Sequence, residues 1–331
     1  MVNRDINFSL WLDFIERDYL KNEFSALIEK GIINGATSNP SIFASAITAS
    51  PAYKEQLEQL KGLTPKEKYE ALAIEDIRNA AQALRASYDE GNDGYISIEV
   101  DPFLSNNTQG TIEEGKRLFK AIGEPNVMIK VPATKAGYEA MQELLSLGIS
   151  VNATLIFSPM QAKRCIKAMK AGIEHFELEN SSKVEAVISV FVSRFDRHLD
   201  DSLALEGIET EKTGIYNAAK IYNLIKKIDM PNIRTLFAST GVKGDNLPAD
   251  FYIRELFAPD AVNTAPLVTI ESYISKEETA VKLPIEDIDI NGYFTKLSDC
   301  GFDMDEVYDK LLKDGLEAFE EAFKDMLDSL K

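Results

Sequence analysis

Eight short runs of apolar and β-branched residues recur along this chain of 331 residues, and amphipathic segments of helical period lie between them. The runs are SLWLDFI (9–15), GATSN (35–39), YISIEVD (95–101), NVMIKVP (126–132), VNATLIF (151–157), AVISVFV (186–192), TLFAST (235–240) and AVNTAP (261–266). Strands that are apolar on both faces must be covered on both faces. When they alternate with helices, each crossover returns the chain for parallel pairing. Eight such units predict an α/β fold, a closed (β/α)8 TIM barrel, in preference to an open doubly wound sheet. No GxGxxG opens a first helix, which argues further against the dinucleotide-binding form of the open sheet.

The helices announce their starts. Ser158, Pro159 and Gln161 supply an N-cap, a proline at the first helical position and a capping-box partner. Thr134 stands likewise before KAGYEAMQELLSLG, where Tyr138, Met141, Leu144 and Leu145 recur at helical spacing and Gly148 ends the pattern. A minimal barrel needs about 250 residues, and two places hold the excess. Residues 40–90 carry helical pattern well beyond one crossover helix. The segment from about 281 ends in a stripe of Leu312, Leu316, Phe319, Phe323, Met326 and Leu330. That stripe must be buried, either back across the barrel or against a second subunit. No Gly/Ser-rich linker or low-complexity tract divides the chain, so residues 1–331 are expected to form one domain.

The net charge of -18 opposes a nucleic-acid backbone or an anionic membrane as partner. An anionic substrate would need local cations and backbone amides to overcome the overall field. Two cysteines, Cys165 and Cys300, make no disulfide framework, and two histidines, His175 and His198, supply no repeated metal-ligand set. These features, with no signal-like N-terminus and no long apolar run, predict a cytoplasmic protein without metal or other cofactor.

Within NVMIKVP, Lys130 interrupts the apolar series Val127, Met128, Ile129 and Val131. Apolar surroundings disfavour an ammonium and favour the neutral amine, a nucleophile for carbonyl carbon, so this stretch suggests Schiff-base chemistry. The plainer reading is a strand-end lysine that snorkels to water or pairs with a carboxylate. The other strands decide between them, because a barrel of this kind builds its active site at the C-terminal strand ends. Polar side chains gather there: Asp13, Thr37, Ser38 and Asn39, Glu99, Asn152 and Thr154, Ser189, Arg194, Ser239 and Thr240. Singly, each has a structural explanation, such as a cap, a turn hydrogen bond or a paired carboxylate. Jointly, their burial at one end of a barrel would be a needless desolvation cost. The loop STGVKG after the seventh strand offers two hydroxyls, two glycines and Lys243, and Arg194 adds a fork of donors from the sixth strand. Together they suggest a phosphate site.

In LWLD (10–13), GATSNPSIF (35–43), ISIEVDP (96–102), MIKVPAT (128–134), NATLIFS (152–158), VFVSRFD (190–196), ASTGVK (238–243) and VNTAP (262–266), the chain resembles the transaldolases of the longer bacterial branch. The resemblance runs over most of the sequence. It implies a metal-free class I mechanism in the non-oxidative pentose phosphate pathway. A dihydroxyacetone unit passes from fructose 6-phosphate or sedoheptulose 7-phosphate to erythrose 4-phosphate or glyceraldehyde 3-phosphate. It puts the Schiff-base lysine on Lys130, the acid/base carboxylate on Glu99 working through a water held by Thr154, and the base for the C4 hydroxyl on Asp13. Asn39, Asn152 and Ser189 would hold the dihydroxyacetone hydroxyls beside Phe191, and Arg194, Ser239 and Lys243 the phosphate.

One departure concerns that phosphate. Other branches place an arginine shortly after the serine of strand seven, whereas this chain has Thr240, Gly241, Val242 and then Lys243, which carries the charge without the planar fork. Thr264 of VNTAP is read as wall structure. Two rivals remain: an aldolase that releases free dihydroxyacetone, and a barrel that binds sugar phosphates without chemistry. Phe191 is apolar where a hydroxyl would help hydrate the intermediate, which disfavours the first. The presence of Lys130, Glu99 and Asp13 disfavours the second. A homodimer is compatible with the sequence, through the surface from His198 to Asp201 or the C-terminal helix.

Overall fold

The computed structural model describes residues 2–180, 184–244, 246–276 and 280–331. Its eight strands are β1 (Ser9–Leu12), β2 (Gly35–Thr37), β3 (Tyr95–Glu99), β4 (Val127–Pro132), β5 (Val151–Ile156), β6 (Ala186–Phe191), β7 (Ile233–Ala238) and β8 (Ala261–Ala265). They close in sequence order, with β8 returning to β1, and every pair is parallel. The expected (β/α)8 TIM barrel is the observed fold.

Alternation along each strand separates two layers. Leu10, Leu12, Ile96, Ile98, Ile129, Val131 and Val151 join the apolar layer between strands and helices, whereas Trp11, Tyr95, Met128, Val187, Leu236 and Val262 belong to the barrel interior and mouth. Lys130 has the parity of Met128, so the strand that buries Ile129 outward must turn the lysine inward. Trp11 fills the interior so closely that a Cβ at Gly35 on the next strand would stand 2.5 Å from its indole nitrogen. Only glycine fits there.

Two details depart from the expected strands. β7 begins at Ile233 rather than at 235, since Arg234 is spent on the barrel floor, where it pairs with Asp93. On β5 the register moves from Ala153↔Ile188 to Ile156↔Val190, one residue more than on its partner, and Leu155 takes a φ of 58°. This is a bulge, and it re-aims the side chains that follow Asn152.

The two predicted excesses are both helical. After β2 come Pro40–Ala49, Lys54–Gln59, Pro65–Ala83 and Arg85–Asp89. Ser158 and Thr134 cap their helices as expected, Ser158 in a full capping box with Gln161. The C-terminal segment adds Asp287–Asp299 and the 26-residue helix Met304–Ser329. This last helix folds back over its own barrel: Phe319, Phe323, Met326 and Leu330 are buried, with Leu311 ahead of the half-buried Leu312 and Leu316. Among the described residues no helix is long and apolar enough to cross a membrane.

Candidate active site

Lys130 and Glu99 are register partners on β4 and β3, and Asn152 on β5 is the next member of the same ring. Parallel pairing therefore brings the three inward side chains together from positions far apart in the chain. Lys130 Nζ lies 3.4 Å from Glu99 Oε2 and donates to the carbonyl of Ser38 at 3.1 Å. Asn152 donates to Ser97 Oγ at 3.0 Å and accepts from Ser189 Oγ at 2.6 Å. Asp13 follows β1, its backbone N–H extending the ladder to Ala265, and its Oδ1 accepts from Thr37 Oγ1 at 2.6 Å. Thr37 Oγ1, its own proton given to Asp13, accepts from Thr264 Oγ1 at 2.7 Å. Asn39 caps the helix Pro40–Ala49 through its Oδ1 and lines the cavity.

The electrostatics of this group are unlike those of a surface ion pair. Burial pushes the Glu99 carboxyl up to about 7, against the opposing pull of Lys130, and Asp13 pushes it the same way. Burial also raises the Asp13 carboxyl, with Lys130 and the Thr37 hydroxyl acting against it. Neither oxygen of Glu99 has a hydrogen-bond partner among the described residues, and the hydroxyl of Thr154 is buried in the same condition. Burial thus raises both carboxyls, and each feels the charge of Lys130. The lysine is not surrounded by apolar groups alone, as its strand suggests; its amine also meets the Glu99 carboxylate and the Ser38 carbonyl.

Above this group is a cavity of about 180 Å³ lined by Asp13, Asn39, Lys130, Thr154, Ser189, Phe191, Arg194 and Ser239, together with Thr37, Ser41, Thr264 and Phe319. The guanidinium of Arg194 stacks over the Phe191 ring at 5.2 Å and has no carboxylate within ion-pair distance among the described residues. Burial, helped by Arg197, lowers its pKa. Ser239 shares a hydrogen bond with Ser193 at 3.0 Å and has a φ of 54°.

Ten of the eleven residues to which the resemblance gives a catalytic or substrate-binding role therefore line the cavity or lie buried against those that do. The exception is Lys243, which is exposed on the loop after β7 and does not line the cavity. Thr37, counted among the polar strand ends but given no role, and Thr264, read as wall structure, are set against Asp13 once the barrel closes. Sequence reasoning passed over Ser41, one residue beyond the Asn39-Pro40 cap, and Phe319, which sits in a stripe indistinguishable from core. The cavity is not the largest: a cleft of about 1040 Å³ runs between the starts of the helices at Lys135 and Pro159 and the C-terminal segment. It holds none of these side chains, so size does not mark the chemistry. Among the described residues no three His, Cys, Asp or Glu side chains gather as a metal ion would require.

The family model described as Transaldolase/Fructose-6-phosphate aldolase matches residues 10–330. A transaldolase from Campylobacter jejuni subsp. jejuni serotype O:23/36 (strain 81-176) is 49% identical over 333 residues, covering 98% of this chain and 99% of the relative. A transaldolase from Helicobacter pylori (strain Shi470) is 44% identical over 323 residues, covering 97% and 99%. The chain belongs to the transaldolase/fructose-6-phosphate aldolase family.

Proposed function

We propose that this protein is a transaldolase of the non-oxidative pentose phosphate pathway, a transferase that moves a dihydroxyacetone unit between sugar phosphates on Lys130. The observation that carries the assignment of residues is the buried group of Lys130, Glu99 and Asp13, gathered at the one end of the barrel where such enzymes work.

The amine of Lys130 adds to the C2 carbonyl of fructose 6-phosphate. Glu99, poised near neutrality, exchanges the protons of carbinolamine formation and dehydration through a water held by Thr154. Asp13 removes the proton of the C4 hydroxyl. The C3–C4 bond breaks, its electron pair moves to the protonated imine nitrogen, and glyceraldehyde 3-phosphate leaves as the aldehyde. Asn39, Asn152 and Ser189 hold the hydroxyls of the remaining enamine until erythrose 4-phosphate arrives, when its C3 carbon attacks the new aldehyde and the steps reverse. Arg194 and Ser239 take the phosphate, and Lys243 on the exposed loop adds only its charge from outside the cavity. Phe191 walls the site with an apolar face. One domain, a homodimer and a cytoplasmic location complete the reading, and sedimentation of the purified chain tests the second.

The deciding experiment follows glyceraldehyde 3-phosphate from fructose 6-phosphate with and without erythrose 4-phosphate. At most one equivalent without acceptor, and continuous turnover with it, is the expected result. Continuous release without acceptor makes the protein an aldolase, and no release in either case leaves a binding protein.

A further inference from the structure

The C-terminal helix Met304–Ser329 is pinned at both ends to opposite sides of the barrel. Near its start, Tyr308 donates to Asn217 Oδ1 at 3.1 Å and packs edge-on against Phe195, 5.9 Å between centroids. Near its end, Phe323 packs against Tyr69 at 5.4 Å and Phe103 at 6.2 Å, and Lys68 donates to the carbonyl of Leu330 at 2.7 Å. Its 26 residues span about 39 Å, enough to bridge the mouth. The middle of the span lies over the candidate site. The ring of Phe319 stands 5.9 Å from Lys130 Nζ, is 6% exposed, and lines the cavity opposite the strands.

One turn earlier, position 315 sets how close the helix comes. A Cβ there would meet Leu155 Cδ2 at 2.9 Å and Arg194 Nη1 at 3.3 Å, so glycine lets the helix settle on the bulge of β5 and on the arginine. Leu155 is the residue that the bulge holds at positive φ, a conformation uncommon for leucine. Sequence features on β5, on the helix Ser193–Leu205 that follows β6, and on the last helix thus meet at one contact, one turn from Phe319.

We propose that the C-terminal helix is the roof of the reaction chamber and that Phe319 is a specificity-determining residue, keeping water from the lysine-bound three-carbon unit so that it is transferred rather than released. This deepens the Schiff-base reading of Lys130 and rests on it. The leak that the ring suppresses begins with protonation of the enamine carbon, which gives the imine. Water then adds to the imine carbon, the C–N bond breaks, and dihydroxyacetone departs with the oxygen of water while the lysine keeps the protons as its ammonium.

The test uses the full-length protein and fructose 6-phosphate. Two rates are compared: release of dihydroxyacetone without acceptor, and transfer to erythrose 4-phosphate. Borohydride trapping read by mass spectrometry reports the adduct on Lys130. In Phe319→Ala the ratio of release to transfer should rise at least about tenfold, and in Phe319→Leu, which keeps an apolar cover, less than about threefold. Gly315→Ala keeps the ring but lifts its seat, and should move the ratio in the same direction by about threefold. Since alanine favours a helix over glycine, that variant should not lose thermal stability through the helix itself. A trapped adduct with an unchanged ratio in all three variants overturns the roof. No adduct on Lys130 in the parent protein overturns the Schiff-base reading and the roof with it.

Discussion

At the N-terminal end of the barrel, Asp93 accepts from Trp11 Nε1 at 2.9 Å and pairs with Arg234, whose Nη2 donates on to Ser9 Oγ at 3.1 Å and to the carbonyls of Asn7 and Ala261. At the C-terminal end, Glu99 meets Lys130 only at 3.4 Å, leaves both oxygens without a hydrogen bond, and is pushed up to about 7. Both ends bury a carboxyl and a cation. On the floor, Asp93, the Ser9 hydroxyl and two backbone carbonyls meet the terminal nitrogens of Arg234, although its Nε has no partner among the described residues, and these contacts hold strands in register. At the mouth, the groups are poorly matched and remain ready to change protonation state. The floor pair touches at direct ion-pair distance, whereas neither oxygen of Glu99 is hydrogen-bonded and its carboxyl is the one raised toward neutrality, which marks the mouth as the end suited to proton transfer.

This contrast can be broken at either end. Lys130→Met should lower turnover by at least about 10,000-fold while circular dichroism and thermal unfolding stay those of a folded barrel, since the mouth is not a structural keystone. Near-normal activity in this variant refutes the Schiff-base assignment. Asp93→Asn should do the opposite: it strands Arg234 on the floor and costs about 3 kcal/mol in denaturant unfolding, with kcat/KM within about twofold of the parent.

Glu99→Gln sharpens the comparison through pH. The Glu99 carboxyl rises from 4.5 to about 7 on folding, so the folded state holds the extra proton between those values. Stability attached to this group is present below about pH 4.5 and is lost as pH rises through about 7. The variant should therefore gain on the parent across that window, by roughly 3 kcal/mol at pH 8 in urea titrations at the two pH limits. A constant difference between pH 4 and pH 8 would mean that Glu99 is ionised throughout. The smallest effect belongs to Lys243→Ala, whose exposed charge should change KM for the sugar phosphate by less than about threefold. A larger rise would place the loop over the phosphate in the working enzyme.

The order of the strands and the parity of their side chains were legible in the chain because both are local. Period-2 alternation marks β4 as a buried strand and forces Lys130 to the same side as Met128. Local pattern also determined the caps at Thr134 and Ser158 and the helical content of residues 40–90. Closure of the barrel was a matter of counting units, and the motifs at the strand ends pointed to Asp13, Glu99 and Lys130 before their distances were known.

What needed the tertiary structure is everything that depends on approach between distant segments. Thr37 and Thr264 are 227 residues apart, and only the joining of β8 to β1 places their hydroxyls within 2.7 Å and beside Asp13. Arg234 lies outside the apolar run that marks the seventh strand, and its place on β7 follows from its contacts with Asp93 and Ser9. Phe319 belongs to an apolar stripe whose period says that it is buried but not against what, and Lys243 occupies a motif whose charge the fold leaves in solvent. Periodicity and motif spacing report which way a side chain points along its own element. The proton affinity of Glu99 and the cover above Lys130 arise from desolvation and through-space contact, which exist only once the elements have packed.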